Sequence, residues 1–255
     1  MSLTQTMFEN LPEEVRQMLH LYVERMTDLY GTSLRAMLLY GSAVRGDYLP
    51  DRSNLNLLVL VTKVDMSLLK TYTNVHKRFK KEQIPVPLFS TEEELRGSAS
   101  VFPLEYTDMA ACHHVLMGHD PFVGFVIDTS HIGMQCEQEV RGNLLRLRQR
   151  LVEGAATMEA MGILLPLSLT ALLACLRGLF RELHIPVPRT TDNLLSELPS
   201  ALSIEATALQ EVWNLKRGVI SPGPAEFPRL FERYLGALEA IAGRIGRLRA
   251  EGRLR

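Results

Sequence analysis

Two short stretches carry residue types that could handle phosphate. The apolar run Leu38-Leu39-Tyr40 ends in Gly41-Ser42, and Ala43-Val44-Arg45-Gly46 follows. Glycine lets a backbone approach a phosphate closely, and a serine hydroxyl with neighbouring N–H groups can donate to its oxygens. Eleven residues separate Ser42 from Asn54-Leu55-Asn56, which heads a second apolar run ending at Val61. Residues i and i+2 of a strand share a face, so the two amides stand side by side. Carboxylates in those places would hold divalent metals between the attacking and leaving oxygens of a phosphoryl-type transfer. Amides keep the shape of such a site and lose its charge.

The elements that must position these residues can be read around them. Residues 34–40 and 55–61 predict strands, the first too uniformly apolar to be half solvated and therefore central. A helix is expected over 11–30, capped by Asn10 and ended by Gly31, with one apolar face from Val15 to Leu29. Asp65 caps a helix running to about Lys81, whose end is basic at Lys77, Arg78, Lys80 and Lys81. A third strand is expected over Ile84–Phe89, at an edge because of Pro85 and Pro87. Thr91 and Glu94 form a capping box for a short helix. Val101–Tyr106 then predicts a fourth strand, and Asp108 caps a helix over Met109–Met117 that Gly118 ends. From His131 onward the chain reads as helices, at about 133–153, 156–183, 192–198, 204–216 and 225–250, interrupted by Ile185-Pro186-Val187-Pro188 and Ser221-Pro222-Gly223-Pro224.

Gly41-Ser42, the spacer with Pro50-Asp51-Arg52-Ser53, and the pair Asn54 and Asn56 before an apolar strand resemble the polymerase-beta-like nucleotidyltransferase superfamily. Minimal nucleotidyltransferases and aminoglycoside adenylyltransferases are the most similar in pattern, over roughly residues 34 to 108. The resemblance implies an α/β (α+β) nucleotidyltransferase-like domain with a mixed sheet over residues 1–128, followed by an all-α helical bundle over 129–255. The boundary is expected between 120 and 132. By the same resemblance Gly41, Ser42 and Arg45 bind the nucleotide phosphates, and Asn54 and Asn56 occupy the metal-carboxylate positions. The third carboxylate of the pattern belongs on the strand at 84–89, where Pro87 and Leu88 stand instead. No metal ligand is therefore assigned. The implied protein keeps the fold, has lost metal-dependent catalysis, and binds a nucleotide or regulates. A nucleoside triphosphate is the candidate ligand, and Mg²⁺ is disfavoured. Glu105, expected on a strand beside the site, is a better substitute carboxylate than Asp47 or Asp51, which are expected to face solvent in the spacer. The competing readings are an active enzyme transferring NMP from an NTP to a small molecule or protein, and a helical bundle serving a protein partner or a homo-oligomer.

Composition narrows the classes further. The chain has 28 basic and 29 acidic residues among 255, so its charge draws it to neither nucleic acid nor membrane. Three cysteines without a C-x-x-C fit a reducing cytoplasm rather than a disulfide framework. The apolar stretch from Gly162 to Leu176 is broken by Pro166, Ser168 and Thr170 and reads as a buried helix, not a membrane span. His113, His114 and His119 do not share a helical face and read as surface or packing residues. Arg177 and His184 have the spacing of the Arg-x(4–6)-His pattern of helical ribonucleases. Trp213, the sole tryptophan, is expected to anchor a core.

Overall fold

The computed structural model describes residues 11–153 and 157–254. The chain divides into two compact units, one built from the residues up to 102 with 106–127, the other from 103–105 with the residues from 128 onward.

The first unit contains α1 (Glu13–Tyr30), β1 (Leu34–Tyr40), α2 (Ser42–Arg45), β2 (Asn56–Val61), α3 (Met66–Phe79), β3 (Leu88–Ser90), α4 (Glu92–Ser98), most of α5 (Pro103–Ala111), and β4 (His113–Gly118). The strands form one mixed sheet in the order β3-β2-β1-β4. β1 pairs antiparallel with both β2 and β4, and β2 pairs parallel with β3. Period-two alternation divides the apolar residues between two layers. Met37, Leu39, Leu57 and Val59 pack against Tyr22 and Met26 of α1 and Tyr72, Val75 and Phe79 of α3. Leu38, Leu58 and Leu60 turn to the other face, under Leu95 of α4, Tyr106 and Met109 of α5, and Phe122. Both central strands are thus buried on two sides, which is why they read as unbroken apolar runs.

Local signals behave as their chemistry requires. Asp65 accepts from Leu68 N at 3.0 Å, and this bond, with Lys63, lowers its carboxyl pKa. Both bonds of the Thr91–Glu94 capping box form. Gly31 ends α1 at φ 49°, while Asn10 lies outside the described residues. β3 is an edge strand of three residues, and the prolines precede it.

One region departs from expectation. The predicted strand at Val101–Tyr106 gives way to α5, and the predicted helix at Met109–Met117 gives way to β4. Pro103 sits at the first turn of α5, where its missing N–H is no loss. His113–Met117 has no decisive period of its own, and the open edge of β1 captures it through pairs such as Tyr40↔His113 and Leu39↔His114. Asp108 therefore lies inside α5 and caps nothing, and Glu105 lies on a helix, accepting from Gln135 Nε2 at 3.3 Å.

The second unit holds α6 (Ile132–Val152), α7 (Met158–Glu182), α8 (Thr191–Leu202), α9 (Thr207–Arg217) and α10 (Glu226–Ala250). α7 is its core helix: Leu165, Leu169, Leu172, Leu176 and Phe180 are buried, and Ser168 hydrogen-bonds Tyr234 of α10 at 3.0 Å. It has the length and hydropathy of a membrane span, but 61% of its apolar window is buried inside the protein. Trp213 is a core residue at 3% exposure, with Arg217 over its ring at 5.4 Å. The structure also joins two cysteines that sequence distance separates: the buried Cys136 thiol donates to the Cys175 carbonyl at 3.5 Å.

Gly118 closes β4 at φ +80°, and a Cβ built there would lie 2.0 Å from the Arg35 carbonyl oxygen. Gly118→Ala should therefore lower the stability of the first unit by about 3 kcal/mol, read as a fall in the urea midpoint of the sheet's circular-dichroism signal.

Candidate functional site

The antiparallel pairing of β1 sets the end of that strand beside the beginnings of β2 and β4. Tyr40 pairs with Asn56 on one side and with His113 on the other, so these three residues form a row across the sheet. Gly41 follows at once, with φ +83°, a backbone conformation that favours glycine. A Cβ at Gly41 would meet Asn56 Nδ2 at 3.1 Å. The chain turns here into α2, whose Val44 and Arg45 N–H groups both donate to the Gly41 carbonyl at 3.2 Å.

Hydrogen-bonding groups collect at this edge without partners. Among the described residues, the side chains of Tyr40, Ser42, Asn54 and Asn56 make no hydrogen bond. Asn54 is exposed, and the other three are half-buried. Burial, with Tyr106 beside it, raises the pKa of Tyr40, which remains a neutral phenol able to donate. Hydroxyl and amide N–H groups left open in this way suit an anionic oxygen.

The other sequence-predicted residues are placed differently. Arg45, grouped by resemblance with the phosphate-binding residues, is 5% exposed, and its Nη2 pairs with Asp108 Oδ1 at 2.7 Å and donates to the Asp108 carbonyl at 3.2 Å. Its guanidinium ties α2 to α5 and does not face solvent. Asp47, expected to face solvent, is buried, its N–H donating to the Ser42 carbonyl at 3.0 Å. Asp51 is exposed, in the left-handed region at φ 61°. On the β3 side, Leu58 pairs with Leu88. Pro87 is buried just before β3 and Leu88 is its first residue, 42% exposed, so neither residue named for this strand brings a carboxylate.

Sequence reasoning missed two members of the row. Tyr40 could have been found as the residue before Gly41. His113 could not, because its place depends on β4 being a strand. Its ring is engaged at both nitrogens, Nδ1 with the Met109 carbonyl at 3.0 Å and Nε2 with Asp120 Oδ1 at 3.2 Å. His119 pairs instead with Glu92 at 3.0 Å. In the second unit, Arg177 is buried with Nη2 toward Thr191 Oγ1 at 3.4 Å, whereas His184 is exposed.

Mg²⁺ favours charged oxygens in octahedral array, and Asn54 and Asn56 offer neutral amide oxygens. No group of three His, Cys, Asp or Glu side chains that could hold a metal occurs among the described residues. No family model matches the chain, and no curated protein matches it.

The Arg45–Asp108 pair has a measurable consequence. Arg45→Met leaves half-buried Asp108 without its guanidinium. The substitution should destabilise the first unit by about 3 kcal/mol, measured by chemical denaturation.

Proposed function

We propose that this chain is a nucleotidyltransferase-fold protein that holds the phosphates of a nucleoside triphosphate without carrying out metal-dependent transfer, and so serves as a nucleotide-binding or regulatory protein. One observation carries the reading. The side chains of Tyr40, Ser42 and Asn56 make no hydrogen bond among the described residues, Gly41 turns beside Asn56 at φ +83°, and positions 54 and 56 carry amides rather than carboxylates. The mixed sheet, with a Gly-Ser turn after one central strand and an amide pair heading its antiparallel neighbour, supports the same fold assignment.

Chemistry decides between binding and transfer. An Asp pair at 54 and 56 would repel phosphate oxygens unless a dication intervened. An Asn pair donates to them directly. The same exchange removes two negative charges from beside any metal. Metal clamping supplies several kcal/mol of transition-state stabilisation, and each 1.4 kcal/mol or so is about tenfold in rate. Loss of about 4 kcal/mol would slow transfer by roughly a thousandfold.

Calorimetric titration with ATP, GTP, CTP and UTP, with and without Mg²⁺ or Mn²⁺, tests the reading. Binding in the absence of metal is expected, together with no Mg²⁺-dependent nucleotidyl transfer to any acceptor. Mg²⁺-dependent transfer that Ser42→Ala abolishes would sink the idea. The double substitution Asn54→Asp with Asn56→Asp should create Mg²⁺ binding where the wild type has none, because the backbone geometry at 54–56 stays the same.

A further inference from the structure

We propose that the helical unit carries a binding site for a free α-amino acid with an apolar side chain, in the cleft between α9, the linker that follows it and the first turns of α10. The site lies wholly within that unit and shares no residue with the Gly41 turn.

The cleft forms where the chain cannot continue as helix. α9 stops at Gly218, which takes the left-handed conformation at φ +74°. Val219 N donates to the Asn214 carbonyl at 2.9 Å, so the linker folds back on the end of α9. Pro222 and Pro224 keep the next residues out of helix until α10 begins at Glu226. A cavity of about 430 Å³ opens between these segments, within the range of roughly 300–1,000 Å³ that holds small molecules. Its apolar lining comes from Ile220, Pro222 and Leu230. Leu230 is buried, which fixes that part of the wall.

Four charged side chains line the same cavity, and they are not used alike. Glu211 of α9 and Arg233 of α10 pair with each other. Glu226 and Arg229 are exposed, and among the described residues neither makes an ion pair. They stand three apart on α10, a spacing that makes them neighbours on a helix surface. Elsewhere in this chain that spacing does give a pair, as in Arg16–Glu13 and Arg150–Glu153. Here the carboxylate turns to the linker instead, where Glu226 Oε2 accepts from Gly223 N at 2.8 Å. Glu226 is thus held at the cleft, and Arg229 keeps an uncompensated charge. The Ser221 hydroxyl on the same wall makes no hydrogen bond among the described residues.

One open charge of each sign beside an apolar lining defines the ligand. A guanidinium can bind a carboxylate with two parallel hydrogen bonds. An ionised carboxylate has acceptor capacity left after one N–H bond, and an ammonium brings three donors. A simple anion would meet the Glu226 charge, and a simple cation would meet that of Arg229. An amino acid answers both, with its α-carboxylate to Arg229, its α-ammonium to Glu226, and its side chain on Ile220, Pro222 and Leu230.

Calorimetric titration of the full chain with L-leucine, at constant ionic strength, tests the proposal. 4-Methylpentanoate and isopentylamine are titrated alongside, because each keeps the apolar body and one of the two charges. Leucine should bind, and each analogue should bind about fivefold more weakly, the upper value of an exposed charge contact. Arg229→Gln and Glu226→Gln should each weaken leucine by a similar factor. Both side chains are exposed, and glutamine keeps an acceptor for Gly223 N, so both variants should fold. A wild type that does not bind leucine, equal affinity for leucine and its two analogues, or unchanged leucine affinity in both variants overturns the proposal.

Discussion

The antiparallel register of β1 against its two neighbours is the constraint on which the first unit depends. It aligns the end of β1 with the beginnings of β2 and β4, so that Tyr40, Asn56 and His113 share one row and Gly41 turns away beside Asn56. A one-residue slip would send Asn56 to the opposite face, into the layer of Tyr22, Met26 and Phe79. Burial of both faces makes that slip prohibitive. The same apolar packing that stabilises the sheet therefore also sets the position of its polar edge.

Charge in the first unit is arranged in two different ways. Buried Arg45 pairs with half-buried Asp108 and holds α2 against α5, a structural use of a cation within four residues of Ser42. The lysines after α3 are exposed and unpaired. A buried, paired guanidinium is poorly available to a ligand, whereas a solvated lysine is free to reorganise around one. The side chains of Tyr40, Ser42, Asn54 and Asn56 make no hydrogen bond among the described residues.

The helical unit follows a separate logic. Its core helix α7 is apolar enough to pass for a membrane span, yet Leu165, Leu169, Leu172 and Leu176 pack inside the unit, and Pro166 and Ser168 are accommodated within it. Ser168 bonds Tyr234, and its carbonyl accepts from Asn143 at 3.0 Å, so these buried polar groups are satisfied. Burial raises the pKa of Tyr234 and keeps it neutral. Ion pairs between α6 and α10, Arg148–Glu239 and Arg249–Glu137, lie on the surface of the same helices.

Much of the fold was legible in the chain itself. Unbroken apolar runs announced β1 and β2, caps at Asp65 and Thr91 announced α3 and α4, and prolines announced the edge character of β3, because each signal acts over a few residues. The Gly-Ser turn and the two asparagines were legible for the same reason. What only the tertiary structure decided is everything that depends on a distant partner. The open edge of β1 made residues 113–118 a strand against their ambiguous local pattern, and Pro103 began a helix where an apolar strand was expected. Asp108 became the partner of buried Arg45 rather than a cap, and Asp47 was drawn inside. Register set Tyr40 level with Asn56 and His113, and α3 packed its Tyr72, Val75 and Phe79 on the other sheet face. Residue types are local facts, but which charges are paired and which remain open depends on contacts between residues far apart in the chain.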